Sequence, residues 1–198
     1  FGSPRKTSRV PRQTIHAGGG SMSDRLLITF NAGSSTVKIG LFAVEGRHPK
    51  RLGKGIIDFR TTPLRFRLLE GERQVDMELK AQPGEELDEV LGEAFTHLAR
   101  IYRLDDLAGI GHRVVHGGDV FSGPVLIDDR SLRQMEALVA LAPLHQPQAL
   151  RLIRAIARLR PDLRQTASFD TSFHRTNDDL VRRFALPRAL HELSLIHI

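Results

Sequence analysis

The chain has 198 residues, 40% of them hydrophobic, which is enough for one well-packed domain. It contains no cysteine, which excludes a disulfide framework, a thiolate metal site and a cysteine nucleophile, and no apolar run approaches the roughly 20 residues that cross a bilayer as a helix. The net charge is +6, but residues 1–21 carry Arg5, Lys6, Arg9 and Arg12 and no acid, so the rest is nearly balanced; with one tyrosine and no tryptophan, it does not read as a nucleic-acid binder.

Residues 1–21 lack periodicity and are rich in Pro, Gly, Ser and Arg. That is the composition of a disordered tail or of upstream read-through ahead of a start at Met22; a basic targeting arm is the functional alternative. From Leu26 to Leu79 the pattern is β. Strands are expected at 26–30, 37–44, 52–59, 64–69 and 73–79, broken at Glu45-Gly46, Thr62-Pro63 and Glu70-Gly71-Glu72. Leu64, Phe66 and Leu68 alternate with Arg65 and Arg67, and Val75, Met77 and Leu79 alternate with Asp76 and Glu78. Strict alternation describes strands with one buried and one wet face, as in an antiparallel meander.

After Pro83-Gly84 the period changes. Glu85–Tyr102 places Leu87, Val90, Leu91, Ala94, Phe95, Leu98, Ile101 and Tyr102 at helical spacing, with acids in the first turn that suit the helix dipole. Ala108–Val115 is short and apolar and reads as a buried strand. Ser131 with Gln134 reads as a capping box opening a helix to about Leu141, with Leu132, Met135, Leu138 and Val139 facing in. A further helix is expected from Pro147 to about Arg160, then a buried strand over Gln165–Phe169, then a charged helix over 174–184. Antiparallel β followed by α-β-α-β predicts an α/β fold, a mixed sheet with flanking helices in a ribonuclease-H-like arrangement. In open α/β sheets the ligand-binding residues gather beyond the strand ends. Asn31–Lys38, Arg113–Gly118 and Asp170 all fall at such ends.

Asn31-Ala-Gly-Ser-Ser-Thr-Val-Lys38 joins the first two strands. It brings together a glycine (Gly33) that allows close backbone approach, three hydroxyls (Ser34, Ser35, Thr36), a side-chain amide and a lysine, which is phosphate-binding chemistry. The Walker A spacing is absent, and the residues after Lys38 alternate like a strand. An ordinary serine-rich hairpin turn has the same composition. Gly111-His-Arg-Val-Val-His-Gly-Gly-Asp119 puts a guanidinium between two imidazoles at a strand end; Arg113 suits a bidentate grip on carboxylate or phosphate, or it pairs with an acid such as Asp119 while both histidines are structural. Ala142-Pro-Leu-His-Gln-Pro147 stiffens a histidine between prolines, as a transition-state donor or as a helix cap. Asp170, at the mouth of the last strand, has three possible roles: holding Mg²⁺ through water, orienting Arg113, or capping a turn.

Four ordered segments resemble one family. Phe30–Lys38 is similar to the first signature of the acetate kinase (acetokinase) family, and Gly109–Phe121 to the second. Ala142–Pro147 and Phe169–His174 also resemble family segments. The likeness runs from about Arg25 to Glu192 and corresponds to the N-terminal portion, so the domain is expected over 22–192. It implies the fold of the acetate and sugar kinase, Hsp70 and actin superfamily, and reversible phosphoryl transfer from ATP to acetate with Mg²⁺ or Mn²⁺. It implies Asn31 on the metal and phosphate side, Lys38 with the Gly33–Thr36 turn at ATP, and Arg113 at the substrate. It further implies His145 at the transition state, Asp170 as an essential acid, and Val115 and Leu144 beside the acetate methyl. A propionate or butyrate kinase of the same family and a non-catalytic ribonuclease-H-like module are the alternatives. A cytoplasmic location and a homodimer at full length are expected. After Glu192 the family continues into a second histidine segment and a nucleotide-binding domain, whereas residues 193–198 read as a non-family tail. The chain as written is therefore expected to be a truncated product without activity of its own.

Overall fold

The computed structural model describes residues 25–46, 48–82 and 86–173. The expected tail over 1–21, Met22, His174, the helix over 174–184 and the segment 193–198 lie outside these residues.

The meander forms where alternation predicts it. β1 (Arg25–Ala32), β2 (Thr36–Glu45), β3 (His48–Asp58), β4 (Arg65–Glu70) and β5 (Arg73–Glu78) pair antiparallel in succession. After α1 (Leu87–Ala99) the chain enters β6 (Leu107–Val114), which lies parallel to β1. A two-residue strand, β7 (Val125–Leu126), precedes α2 (Asp129–Ala137) and α3 (Gln146–Leu159). β8 (Gln165–Phe169) then pairs parallel to β6, with β7 antiparallel on its outer side, and leads directly into the single turn α4 (Asp170–Phe173). Among the described residues the result is one sheet of eight strands in the order β5-β4-β3-β2-β1-β6-β8-β7.

Three details depart from the sequence reading. β3 begins at His48 rather than at 52, because residues 48–51 pair with Phe42–Glu45 of β2. β7 is too short to show an alternation. The second helix opens earlier than expected: Asp128 is its N-cap and Ser131 sits at N3. Asp128 Oδ1 accepts from the Ser131 N–H at 2.7 Å, and Ser131 Oγ accepts from the Asp128 N–H at 2.9 Å. The capping box exists, but Ser131 is its second partner and Gln134 has no part in it. The helix ends at Ala137, and Val139–Leu141 form a separate 3-10 turn.

One sheet face is apolar because period-2 alternation puts Ile28, Phe30, Ile39, Leu41, Ile57, Phe66, Leu68 and Ile110 on the same side. Against it pack Val90, Leu91, Ala94 and Leu98 of α1 with Leu152, Ala155 and Ile156 of α3. A second cluster joins Val114, Ala167 and Phe169 to Phe121, Met135, Ala149, Leu150 and Ile153; the rings of Phe121 and Phe169 stack at 4.4 Å. Gly55 sits in this floor because Phe66 needs the space. A Cβ at Gly55 would lie 2.7 Å from the Phe66 ring.

His112 is part of this apolar face. It is 3% exposed and stacks on Phe30 with centroids 5.8 Å apart. Its Nε2 donates to Gln165 Oε1 at 2.7 Å, and Gln165 Nε2 donates onward to the Ile153 carbonyl at 3.4 Å, which leaves Nδ1 unprotonated and, among the described residues, without a partner. Burial pushes its pKa down to about 4, opposed only by the Gln165 hydrogen bond.

Two outcomes are expected. Gly55→Ala should destabilise the fold by about 1–3 kcal/mol, because the added methyl overpacks a fully buried ring; a denaturant midpoint equal to the parent's would contradict this. His112 binds its proton more tightly in the unfolded chain, with a pKa near 6.5, than in the folded one, near 4. Its contribution is therefore fully present above about pH 6.5 and is lost as pH falls towards 4. The thermal midpoint should fall over that window, and His112→Gln should flatten the fall; an unchanged slope in His112→Gln would contradict the assignment.

Candidate active site

The parallel registers of β1, β6 and β8 decide where polar side chains meet. Asn31 lies opposite Lys38 on β2 and opposite Arg113 on β6, and Arg113 lies opposite Ser168 on β8. Lys38, Asn31, Arg113 and Ser168 thus form one row across four strands, on the face away from α1 and α3. The next row on that face is Gly40, Thr29, Gly111 and Thr166. These small residues leave a depression of about 340 Å³ lined by Asn31, Lys38, Arg113, Ser168, Thr29 and Gly40, among others. At Gly40 the space is already taken: a Cβ would lie 2.5 Å from Thr29 Oγ1.

Arg113 is the centre of the site. Its Nε donates to Asp170 Oδ1 at 2.8 Å and its Nη2 to Asp170 Oδ2 at 2.5 Å, a bidentate fork on a planar carboxylate. Nη1 donates to Asn31 Oδ1 at 3.0 Å. Of five guanidinium N–H groups, three are used and two have no partner among the described residues. The side chains of Arg113 and Asp170 are 51% and 34% exposed, so the pair is reachable from solvent. Asp170 therefore orients Arg113. Of the two acids the sequence offers, the one shown paired with Arg113 is Asp170, which β8 delivers directly to the guanidinium.

The Gly33–Thr36 turn is a tight hairpin. The Gly33 N–H donates to the Thr36 carbonyl at 2.8 Å, and the Phe59 N–H donates to the Ser35 carbonyl at 3.0 Å, which pins the tip to the end of β3. Gly33 and Ser34 are exposed, while Ser35 and Thr36 are half-buried. Beside the tip, Asp58 accepts from Arg60 Nε at 2.8 Å and Nη2 at 2.7 Å; the hydrogen bonds from Arg60 bring its pKa down to about 2. Gly33 and Ser34 also line a second cavity of about 210 Å³, with Phe59, Gln148, Arg151 and Leu152.

Other expected site residues stand apart. His145 is exposed at the N-cap position of α3 but makes no side-chain cap hydrogen bond, so it does not serve as a side-chain cap. Val115 is half-buried just after β6, and Leu144 is 78% exposed. Neither these two nor His145 line either cavity.

The structure also places motif residues to which no site role was assigned. His116 follows Val115 and is buried; its Nδ1 accepts from the Gly118 N–H at 2.9 Å, and Gly118 takes φ +55°, a left-handed conformation that suits glycine. Gly117 N–H donates to Thr171 Oγ1 at 2.9 Å. Gln146 is fully buried and bonds to the His116 backbone. In the sequence it stands within the Ala142–Pro147 segment, ahead of the helix expected from Pro147, with no role of its own. Among the described residues no group of three His, Cys, Asp or Glu is placed to hold a metal, and no helix is long and apolar enough to cross a membrane.

Known proteins are similar to this chain in sequence and in fold. An acetate kinase from Streptomyces coelicolor is 40% identical over 171 residues, covering 83% of this chain and 41% of that protein. One from Rhodopseudomonas palustris is 35% identical over 173 residues, covering 86% and 43%. Among solved structures, a propionate kinase from Francisella tularensis superposes with a TM-score of 0.73 at 32% identity, over 86% of this chain and 43% of that one. Porphyromonas gingivalis acetate kinase superposes with a TM-score of 0.71 at 29% identity, over 85% and 43%. The chain thus spans about two-fifths of the length of the curated relatives it matches. Its fold is that of the acetate and sugar kinase, Hsp70 and actin superfamily, a mixed sheet with flanking helices. The model of the acetokinase family matches residues 26–197, and the chain belongs to that family.

Proposed function

We propose that this segment supplies one wall of an acetate kinase active site, in a cytoplasmic enzyme that is a homodimer at full length and transfers the γ-phosphoryl group of ATP reversibly to acetate. The observation that carries the reading is the Arg113 fork. It already holds a carboxylate, that of Asp170, in the planar bidentate geometry that an acetate or an acyl phosphate would use, and it keeps two N–H groups for a ligand.

In the forward direction an acetate oxygen forms a bond to the γ-phosphorus, the bond from that phosphorus to the β,γ-bridging oxygen breaks, and ADP leaves with the electron pair. Acetate is ionised at neutral pH, so no strong general base is needed. The work of the protein is positioning and charge compensation. Arg113 orients the carboxylate and offsets charge on the transferring group. Asp170 and Asn31 fix the guanidinium from two sides. Lys38 adds a positive charge one strand away, opposite Asn31. The exposed Gly33–Ser34 tip and the hydroxyls of Ser35 and Thr36 offer donors to phosphate. His145, on a segment stiffened by Pro143 and Pro147, serves as a donor to the transition state, and Val115 and Leu144 contribute to the methyl pocket.

Asn31 Oδ1 and the Asp170 carboxylate are hard oxygen donors converging on one guanidinium. Such a donor set fits Mg²⁺ (or Mn²⁺) held mainly by phosphate and water, not an all-protein cage. The metal, when bound there with ATP, neutralises phosphate charge.

A propionate kinase is the second reading, favoured by the superposition on the Francisella tularensis enzyme and by the open position of Leu144. A single methylene discriminates by roughly 1–3 kcal/mol, so the ratio of kcat/KM for acetate and propionate decides between them.

In a full-length polypeptide carrying this segment, Arg113→Ala should lower kcat/KM for acetate by about 10²–10³-fold. Arg113→Lys should rescue poorly, because an ammonium cannot reproduce the fork. Thermal midpoints should stay close to the parent's, since the side chain is half exposed. Wild-type kinetics for Arg113→Lys would overturn the assignment.

A further inference from the structure

Gln146 is the first residue of α3 and is fully buried. Its Oε1 accepts from the His116 N–H at 3.3 Å, and its Nε2 donates to the His116 carbonyl at 3.0 Å and to the Met135 carbonyl at 3.3 Å. The amide therefore meets both backbone groups of His116, as a neighbouring strand would, at the point where β6 has ended and, among the described residues, no strand does so. A side chain present only to fill space would be apolar here. Leucine at this position would leave one buried N–H and two buried carbonyls without these partners.

The clamped residue has informative neighbours. His116 follows Val115 and lies three residues beyond Arg113; Gln146 directly follows His145. The other side of the same turn is tied by Gly117 N–H to Thr171 Oγ1, next to Asp170. The turn over 116–118 is thus fastened to the segment bearing His145 and to the segment bearing Asp170. Gln146 is the fastening on the His145 side.

We propose that Gln146 is a positioning residue, whose amide fixes the segment bearing His145 against the turn that follows Arg113 and Val115. This rests on the proposed phosphoryl transfer. It assigns the fixed spacing between transition-state donor and carboxylate grip to one buried amide, not to a hydrogen bond between the His145 and Arg113 side chains, for among the described residues Arg113 bonds Asp170 and Asn31.

The test uses two variants in two settings. In the 198-residue chain, Gln146→Leu should abolish hydrogen-exchange protection of the His116 amide and shift the His145 ring resonances, while amides of β1 and β2 keep their protection. In a full-length polypeptide carrying the segment, Gln146→Leu should lower kcat about 10²-fold, the scale of a misplacement near 1 Å, with KM for ATP unchanged. Gln146→Glu keeps an acceptor for the His116 N–H and, once protonated, offers a donor to the His116 carbonyl. Burial raises its pKa, so its kcat relative to the parent should climb as pH is lowered. A purely structural glutamine would lower the amount of folded enzyme and leave kcat per folded molecule and its pH profile unchanged; that result overturns the proposal. If the parent full-length enzyme forms no acyl phosphate, the phosphoryl-transfer reading fails. The positioning role is then decided by the exchange and resonance data, and unmoved His116 and His145 signals in Gln146→Leu refute it.

Discussion

One guanidinium joins the ends of the three parallel strands. Arg113 of β6 reaches Asn31 on β1 and Asp170 beyond β8, and these bonds span 82 and 57 residues of sequence. The site depends on register. A slip of one residue in the β1–β6 or β6–β8 pairing would send Arg113 to the opposite face and Asp170 away from it. That register is fixed by the buried side of the same strands, where Phe30, His112 and Ala167 occupy adjacent positions under α1 and α3. The apolar face thus determines the polar face. The small second row, Gly40, Thr29 and Gly111, keeps the floor low enough for a ligand to approach the row in front of it.

Two buried glutamines make buried polar connections between α3 and the sheet. Gln165 links the His112 ring to the α3 backbone at Ile153, and Gln146 links the α3 start to the His116 backbone. Both amides sit where regular pairing stops or where a buried imidazole needs a partner. Desolvating these groups is acceptable only because they are hydrogen-bonded. They give the α3–β6 contact a defined position that apolar packing alone specifies less tightly.

Much of this is legible in the sequence, for identifiable reasons. The meander shows itself through alternation at Leu64–Leu68 and Val75–Leu79, and α1 and α3 through their apolar stripes. β7 is two residues long and carries no period. The α2 capping box lies three residues earlier than Ser131 and Gln134 suggest, because Asp128-x-x-Ser131 and Ser131-x-x-Gln134 overlap; Asp128, with its extended backbone, takes the N-cap. Arg113, Asp170 and Asn31 are each visible as chemistry at strand ends, but which acid Arg113 meets is not, since both Asp119 and Asp170 are available. Gln146 is the hardest to see. Its role comes from backbone atoms thirty residues away, and no local spacing encodes that.

The central claim is that the row across β2, β1, β6 and β8, with Asp170, serves phosphoryl transfer to a short carboxylate. The most direct measurement is acyl phosphate formation, trapped as hydroxamate, by a full-length polypeptide carrying this segment, supplied with ATP, Mg²⁺ and acetate. The account predicts hydroxamate in proportion to ADP released, and no ADP when acetate is omitted. ADP release that is independent of acetate, or no acyl phosphate with either acetate or propionate, would contradict it.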